Sequence, residues 1–135
     1  MEEVKKQGME SLFCPYEVAL KLKALGFDDP CFGYYEHGVF IFWYDSRQDY
    51  ELLLNCSSPT FSQAFDFIRK KYYLYGIVIP TITMNWTFKT MIVVEEEVEV
   101  PPYKNVNAED YSSHEQAELA LLKELIKLVK EKSLI

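Results

Sequence analysis

A chain of 135 residues, 49% of them hydrophobic and 16% aromatic, is one domain by length and too apolar to stay disordered. Fourteen basic against 21 acidic side chains give a formal net charge of −7, which disfavours broad contact with phosphate backbones or anionic lipid. Neither direct nucleic-acid binding nor a membrane role is therefore expected.

Residues 1–11 are charged and weakly patterned and read as a flexible leader; residues 12–132 read as a single α+β domain. The opening MEEVKKQGMESLF lacks an apolar signal region, and no apolar run reaches the ~18 residues of a membrane span. Cys14, Cys31 and Cys56 are odd in number and scattered, which suits reduced thiols. A cytoplasmic location follows as an expectation. Cys14-Pro15 opens a first helix, with Pro at the first helical position, where a missing N–H costs nothing. Val18, Leu22 and Leu25 recur at helical spacing with Ala19 beside them; Gly26 then ends the helix and Phe27 folds back over its last turn. Tyr16 and Leu20 point away from that stripe.

Asp28-Asp29-Pro30 breaks the chain. Glu36-His37-Gly38 lies between two aromatic-rich runs and reads as a hairpin turn with Gly in the left-handed region. Val39 to Tyr44 is apolar on both alternating faces, the pattern of a strand covered on both sides by the fold or by a partner. Tyr50 to Leu54 fits a further short strand.

The chain is organised around residues 59–94. Thr60 and Gln63 form a capping box at the start of a helix. Phe61, Ala64, Phe65, Ile68 and Tyr72 line one side of it, and Ser62, Asp66, Arg69, Lys70 and Tyr73 the other. Ile77 to Thr83 is a strand that Pro80 confines to an edge or a bulge. A tight turn at Met84-Asn85 leads to a second strand. There Trp86, Phe88, Thr90, Ile92 and Val94 form the core face, and Thr87, Lys89, Met91 and Val93 the opposite one. Glu95, Glu97 and Glu99 continue the alternation as an acidic surface. Ser112 and Glu115 form a second capping box, opening a last helix that runs to Lys132. Its two adjacent stripes are Ala117, Leu121, Leu125, Leu128 and Leu122, Ile126, Val129, widened by Leu119. The apolar arc covers roughly half the circumference, against about 100° for an ordinary surface helix. The expected class is α+β: an antiparallel sheet of four to five strands built from two hairpins, with three helices packed mainly on one face.

The segments CPYEVALKLKALGFDDPCFGYY and PTFSQAFDFIRKKYYLYGIVI resemble an uncharacterised family of small proteins from phages and prophage-like mobile elements of Bacteroides and related bacteria. The shared elements are Tyr16 to Ala19, Gly26-Phe27, Pro30-Cys31, Pro59-Thr60, Ala64 to Tyr72 and Ser113 to Glu118. They are mostly caps, turns and core stripes, so the resemblance implies a genetic context and no catalytic residue. The sequence departs from that pattern at Tyr72-Tyr73, where a His-Asn pair is common, and in its Lys-rich tail.

Chemistry-bearing residues are sparse. His37 and His114 are the only histidines, and no Cys-x-x-Cys or His-x-x-x-His spacing occurs, so no metal site is expected. No phosphate-binding glycine loop, nucleophile elbow or assembled catalytic set is present, so no cofactor, small-molecule ligand or catalytic residue is assigned. The aromatic set Tyr34, Tyr35, Phe40, Phe42, Trp43 and Tyr44 lacks the basic groove of a base-stacking platform and reads as core and interface packing. Excess apolar surface points to a non-enzymatic protein acting through protein–protein contact or homodimerisation, with Trp43, Tyr44, Leu119, Leu122, Ile126 and Val129 as the interface. One alternative is an acidic DNA mimic that inhibits a host nucleic-acid-binding protein through Glu95, Glu96, Glu97, Glu99, Glu109 and Asp110. Another is a small hydrolase or transferase.

Overall fold

Two strands pair along both of their edges, and this sets the architecture. The computed structural model describes residues 10–47, 55–94, 97–99 and 110–133. In chain order the elements are α1 (Tyr16–Ala24), β1 (Cys31–Glu36), β2 (Val39–Arg47), β3 (Asn55–Ser58), α2 (Phe61–Tyr72), β4 (Leu74–Pro80), β5 (Trp86–Val94), β6 (Glu97–Glu99) and α3 (His114–Ser133). β1 lies between β2 and β3, and β5 between β4 and β6, all antiparallel. The class is α+β as expected, but the single sheet of four to five strands is replaced by two three-stranded sheets. Each central strand has used both hydrogen-bonding edges on its own neighbours, so neither can bridge to the other sheet. Nor do the three helices share one sheet: α1 packs by β3, and α3 by β4 and β5. The chain divides into two compact units, residues 1–64 and 65–135, with α2 running across the division. The leader expected over residues 1–11 falls almost wholly outside the described residues, as does the strand expected at Tyr50–Leu54.

In the first unit α1 starts one residue later than expected. Pro15 is extended and serves as the N-cap, its carbonyl accepting from Ala19 N–H at 2.8 Å. The end is as read: Phe27 N–H reaches Leu22 O at 3.0 Å, Gly26 N–H reaches Lys23 O at 3.0 Å, and Gly26 has φ 100°. Val18, Ala19 and Leu22 are buried. The β1–β2 turn is the two residues His37 and Gly38, at φ 53° and 81°, the paired positive values of a type I′ turn. Glu36 and Val39 close it. Phe13, Ala19, Tyr35, Phe40 and Cys56 form the core here. The Cys14 carbonyl accepts from Tyr35 Oη at 2.9 Å and from Ser58 Oγ at 3.0 Å, tying the approach to α1 onto β1 and β3. The Thr60–Gln63 capping box is present, with Gln63 N–H to Thr60 Oγ1 at 3.2 Å and Thr60 N–H to Gln63 Oε1 at 3.0 Å.

In the second unit, Leu74, Gly76 and Val78 of β4 lie opposite Ile92, Thr90 and Phe88 of β5, on one face of the sheet. α3 covers this face. A Cβ placed on Gly76 would collide with Leu121 Cδ1 and come within 2.9 Å of its Cγ, so only glycine admits the leucine there. Phe88 and Thr90 are buried, as the sequence pattern indicates, together with Ala117, Leu121, Leu122, Leu125, Ile126 and Val129 of α3. Among the described residues Thr90 Oγ1 has no hydrogen-bond partner, a burial that costs about 1–3 kcal/mol. The cap of α3 lies one residue beyond the expected Ser112, and the helix begins at His114. Tyr111 exchanges both backbone hydrogen bonds with Trp86, at 2.7 and 2.9 Å, and this pins the approach to the helix. The cap is consequently Ser113, whose Oγ accepts from Gln116 N–H at 3.1 Å; Ser112 instead bonds Gln116 Oε1 at 2.8 Å.

Gly76→Ala is expected to destabilise the protein by about 1–3 kcal/mol, because Leu121 is fully buried and cannot withdraw freely. Denaturant titration checks this. Adding Leu121→Ala to Gly76→Ala should cost less than the sum of the two single changes.

Candidate interaction surface

Nucleophile chemistry finds little support in the thiols. Cys14, Cys31 and Cys56 are all buried, and none forms a disulfide. Burial, then Asp29 and Cys56, push the Cys31 thiol up to about 12, and burial also raises Cys56 against a smaller opposing effect of Lys23. A thiol held protonated in this way is a poor nucleophile. His37 occupies the β1–β2 turn, while the His114 ring meets Trp86 edge-on at 5.0 Å. Among the described residues no group of three or more His, Cys, Asp or Glu is placed to hold a metal ion. No helix among them is long and apolar enough to cross a membrane.

The interface residues expected from sequence fall in three kinds of place. Leu122, Ile126 and Val129 are buried within the chain, and Leu119 is half-buried. The wide apolar arc of α3 is therefore largely used in the fold and is not free for pairing. Trp43 and Tyr44 belong to β2, but their side chains lie outside the described residues. Of the acidic residues, Glu97 and Glu99 take register positions opposite Val94 and Ile92. Glu95, Glu96 and Glu109 lie outside the described residues.

The sequence reading missed the second face of β4 and β5. Tyr75, Ile77 and Ile79 lie opposite Met91, Lys89 and Thr87, on the side turned away from α3. Ile77 is 49% exposed and the rest, Lys89 apart, are half-buried. The turn beyond them, Thr81 to Asn85, is longer than the expected Met84-Asn85 pair. It displays Ile82 at 102% and Met84 at 91% exposure.

Several bonds brace this tip. Thr81 N–H reaches Asn85 O at 2.9 Å, Met84 N–H reaches Thr81 O at 3.1 Å, and Asn85 N–H reaches Thr81 Oγ1 at 3.1 Å. Thr83 Oγ1 donates to Asp110 at 3.0 Å. The two apolar prongs thus sit on an ordered loop. The available signal was the Tyr75-x-Ile77-x-Ile79 alternation together with a stretch, Leu74 to Val94, that contains no Asp or Glu.

Backbone strain marks the same hairpin. Tyr73, immediately before β4, has φ 59°, and Met84 has φ 65°; both are well exposed. A non-glycine residue costs about 1–2 kcal/mol in this region. Tyr73 follows α2 at the position where glycine usually relieves that cost.

The first unit also shows apolar groups. Phe42, Phe13, Phe40, Tyr35 and Tyr16 form a continuous series of ring contacts, with centroid separations of 6.3, 5.1, 5.6 and 5.1 Å. Its inner members are buried, and Phe42 and Tyr16 at its ends are exposed. Val39 is exposed as well, so the described start of β2 is not covered on both sides by this chain itself. These rings act chiefly as core.

Comparison with protein-family models, curated proteins and solved structures finds no match. The family resemblance in the sequence accordingly rests on its quoted motifs alone.

One carboxyl in the second unit responds to its surroundings. Burial holds Glu118 above the usual carboxylate range, with His114 pulling it down and Glu115 adding to the rise. The folded state therefore binds this proton more tightly than the unfolded chain does. Stability from this group is present below the ordinary glutamate value and is lost as pH rises through the folded one. Glu118→Gln is expected to raise the thermal midpoint at about pH 7, with the gain vanishing below about pH 4. Thermal melts of both proteins across that range check it.

Proposed function

We propose that this chain is a non-enzymatic interaction protein whose contact surface is the outward face and tip of the β4–β5 hairpin. The observation that carries this is the exposure of Ile77, Ile82 and Met84 on one braced, carboxylate-free hairpin. Isolated exposed apolar side chains are ordinary, but a contiguous apolar patch on an ordered scaffold is characteristic of contact sites. Order in the loop also favours binding, because little conformational freedom remains to be lost when a partner arrives. The burial of all three thiols, which raises Cys31 and Cys56, supports a role without nucleophilic chemistry.

A photo-crosslinking amino acid at position 82, introduced in the producing cells, tests this contact role. Protein adducts are expected, and Ile77→Glu in the same chain should abolish them. Illumination that yields no protein adduct would count against the contact role.

A further inference from the structure

We infer that the occupant of the outward β4–β5 face is a second copy of this chain, packed sheet on sheet about a twofold axis. This assignment builds on the contact role proposed above and adds the identity of the partner. It starts from charge. Each copy carries a net charge of −7, so two copies repel, and a contact that places carboxylates across from carboxylates is opposed further. From Leu74 to Val94 there is no Asp or Glu, and Lys89 is the only charged side chain. The strand face thus lets two copies meet without opposing carboxylates of their own hairpins, and the nearest acidic group shown at the tip, Asp110, is held by Thr83.

Shape fits the same partner. A twofold contact needs a surface complementary to itself. Tyr75, Ile77, Ile79, Thr87 and Met91 offer β-branched and flexible apolar side chains on a pleated face, and such faces interdigitate at about 10 Å between sheets. The seven residues of β4 span roughly 23 Å. With the two hairpins antiparallel, the Ile82–Met84 tip of one copy extends over the Tyr73–Tyr75 end of the other. The exposed tip and the exposed Tyr73 then gain cover together, which gives a use to two side chains held on strained backbone. Lys89 lies opposite Ile77 and can lay its aliphatic stem along the face while its ammonium reaches solvent.

The size of the face sets the strength. A face of two strands and roughly 23 Å falls well short of the ~800 Å² per partner of a standard interface, so the dimer is reversible and concentration-dependent.

Sedimentation velocity of the purified chain across low to high micromolar concentration tests the assignment. The mass should climb from 15.9 kDa towards twice that value. Added salt should strengthen association, because it screens the repulsion between acidic copies and leaves the apolar contact intact. Ile77→Glu and, separately, Thr87→Glu should each weaken dimerisation at least tenfold while circular dichroism remains that of the parent. Two variants guard against one that fails to fold. A parent chain that stays at 15.9 kDa at every concentration overturns the second-copy assignment. So does a dimer that salt disperses, or one that both folded variants retain. Position-82 adducts in cells, without dimers of the purified chain, would leave the contact role standing with a different protein as partner. If both experiments are negative, the contact role fails with the assignment.

Discussion

The seating of Leu121 against Gly76 is the constraint on which the second half of the molecule depends. A leucine from α3 enters the space a side chain on β4 would occupy, and this brings helix and sheet into close approach. Phe88, Thr90 and the buried row of α3 follow from that approach. The same seating decides which face of the hairpin is spent on the core and which is left over. Because α3 takes one face, the Tyr75, Ile77, Ile79 face is left to something outside the second unit's own core.

The N-terminus of α3 reinforces this division. Trp86 and Tyr111 exchange two backbone hydrogen bonds, His114 packs edge-on against Trp86, and Thr83 holds Asp110. The turn is thereby anchored to the approach of α3 as well as to its own backbone. An anchored turn presenting Ile82 and Met84 differs in kind from a loose loop whose apolar residues have no fixed position. The hydroxyl of Thr90, without a partner among the described residues, marks where the covered face is less than ideal.

Much of the local structure was legible in the sequence. Thr60 with Gln63, Gly26 with Phe27, and His37 with Gly38 each carry local chemistry with one low-energy outcome, and each is found in place. Of the alternating core face expected on β5, Phe88 and Thr90 are buried and Trp86 and Ile92 half-buried. The non-local facts were harder. That β1 and β5 each fill both edges within separate sheets depends on pairings between distant segments, which periodicity does not encode. The cap of α3 shifted from Ser112 to Ser113 because a long-range bridge at Tyr111 overrode a choice the local sequence left balanced. The α3 surface was misjudged for the same reason: a wide apolar arc looks unpartnered until the Gly76 seat shows how closely the sheet approaches it. The contact face was legible only in part, since alternation in β4 names two faces and does not say which one a helix will take.

The central claim is that one face of the hairpin is closed by α3 and the other is held open for a partner. Methyl NMR with a soluble paramagnetic probe tests it most directly. In dilute solution the probe should relax the methyls of Ile77, Ile82 and Met84 strongly and those of Leu121, Leu122 and Ile126 weakly. On concentrating the protein, the first group should become protected while the second is unchanged. Equal relaxation of both groups in dilute solution, or an exposed group that stays open at every concentration and in cell extract, would contradict the claim.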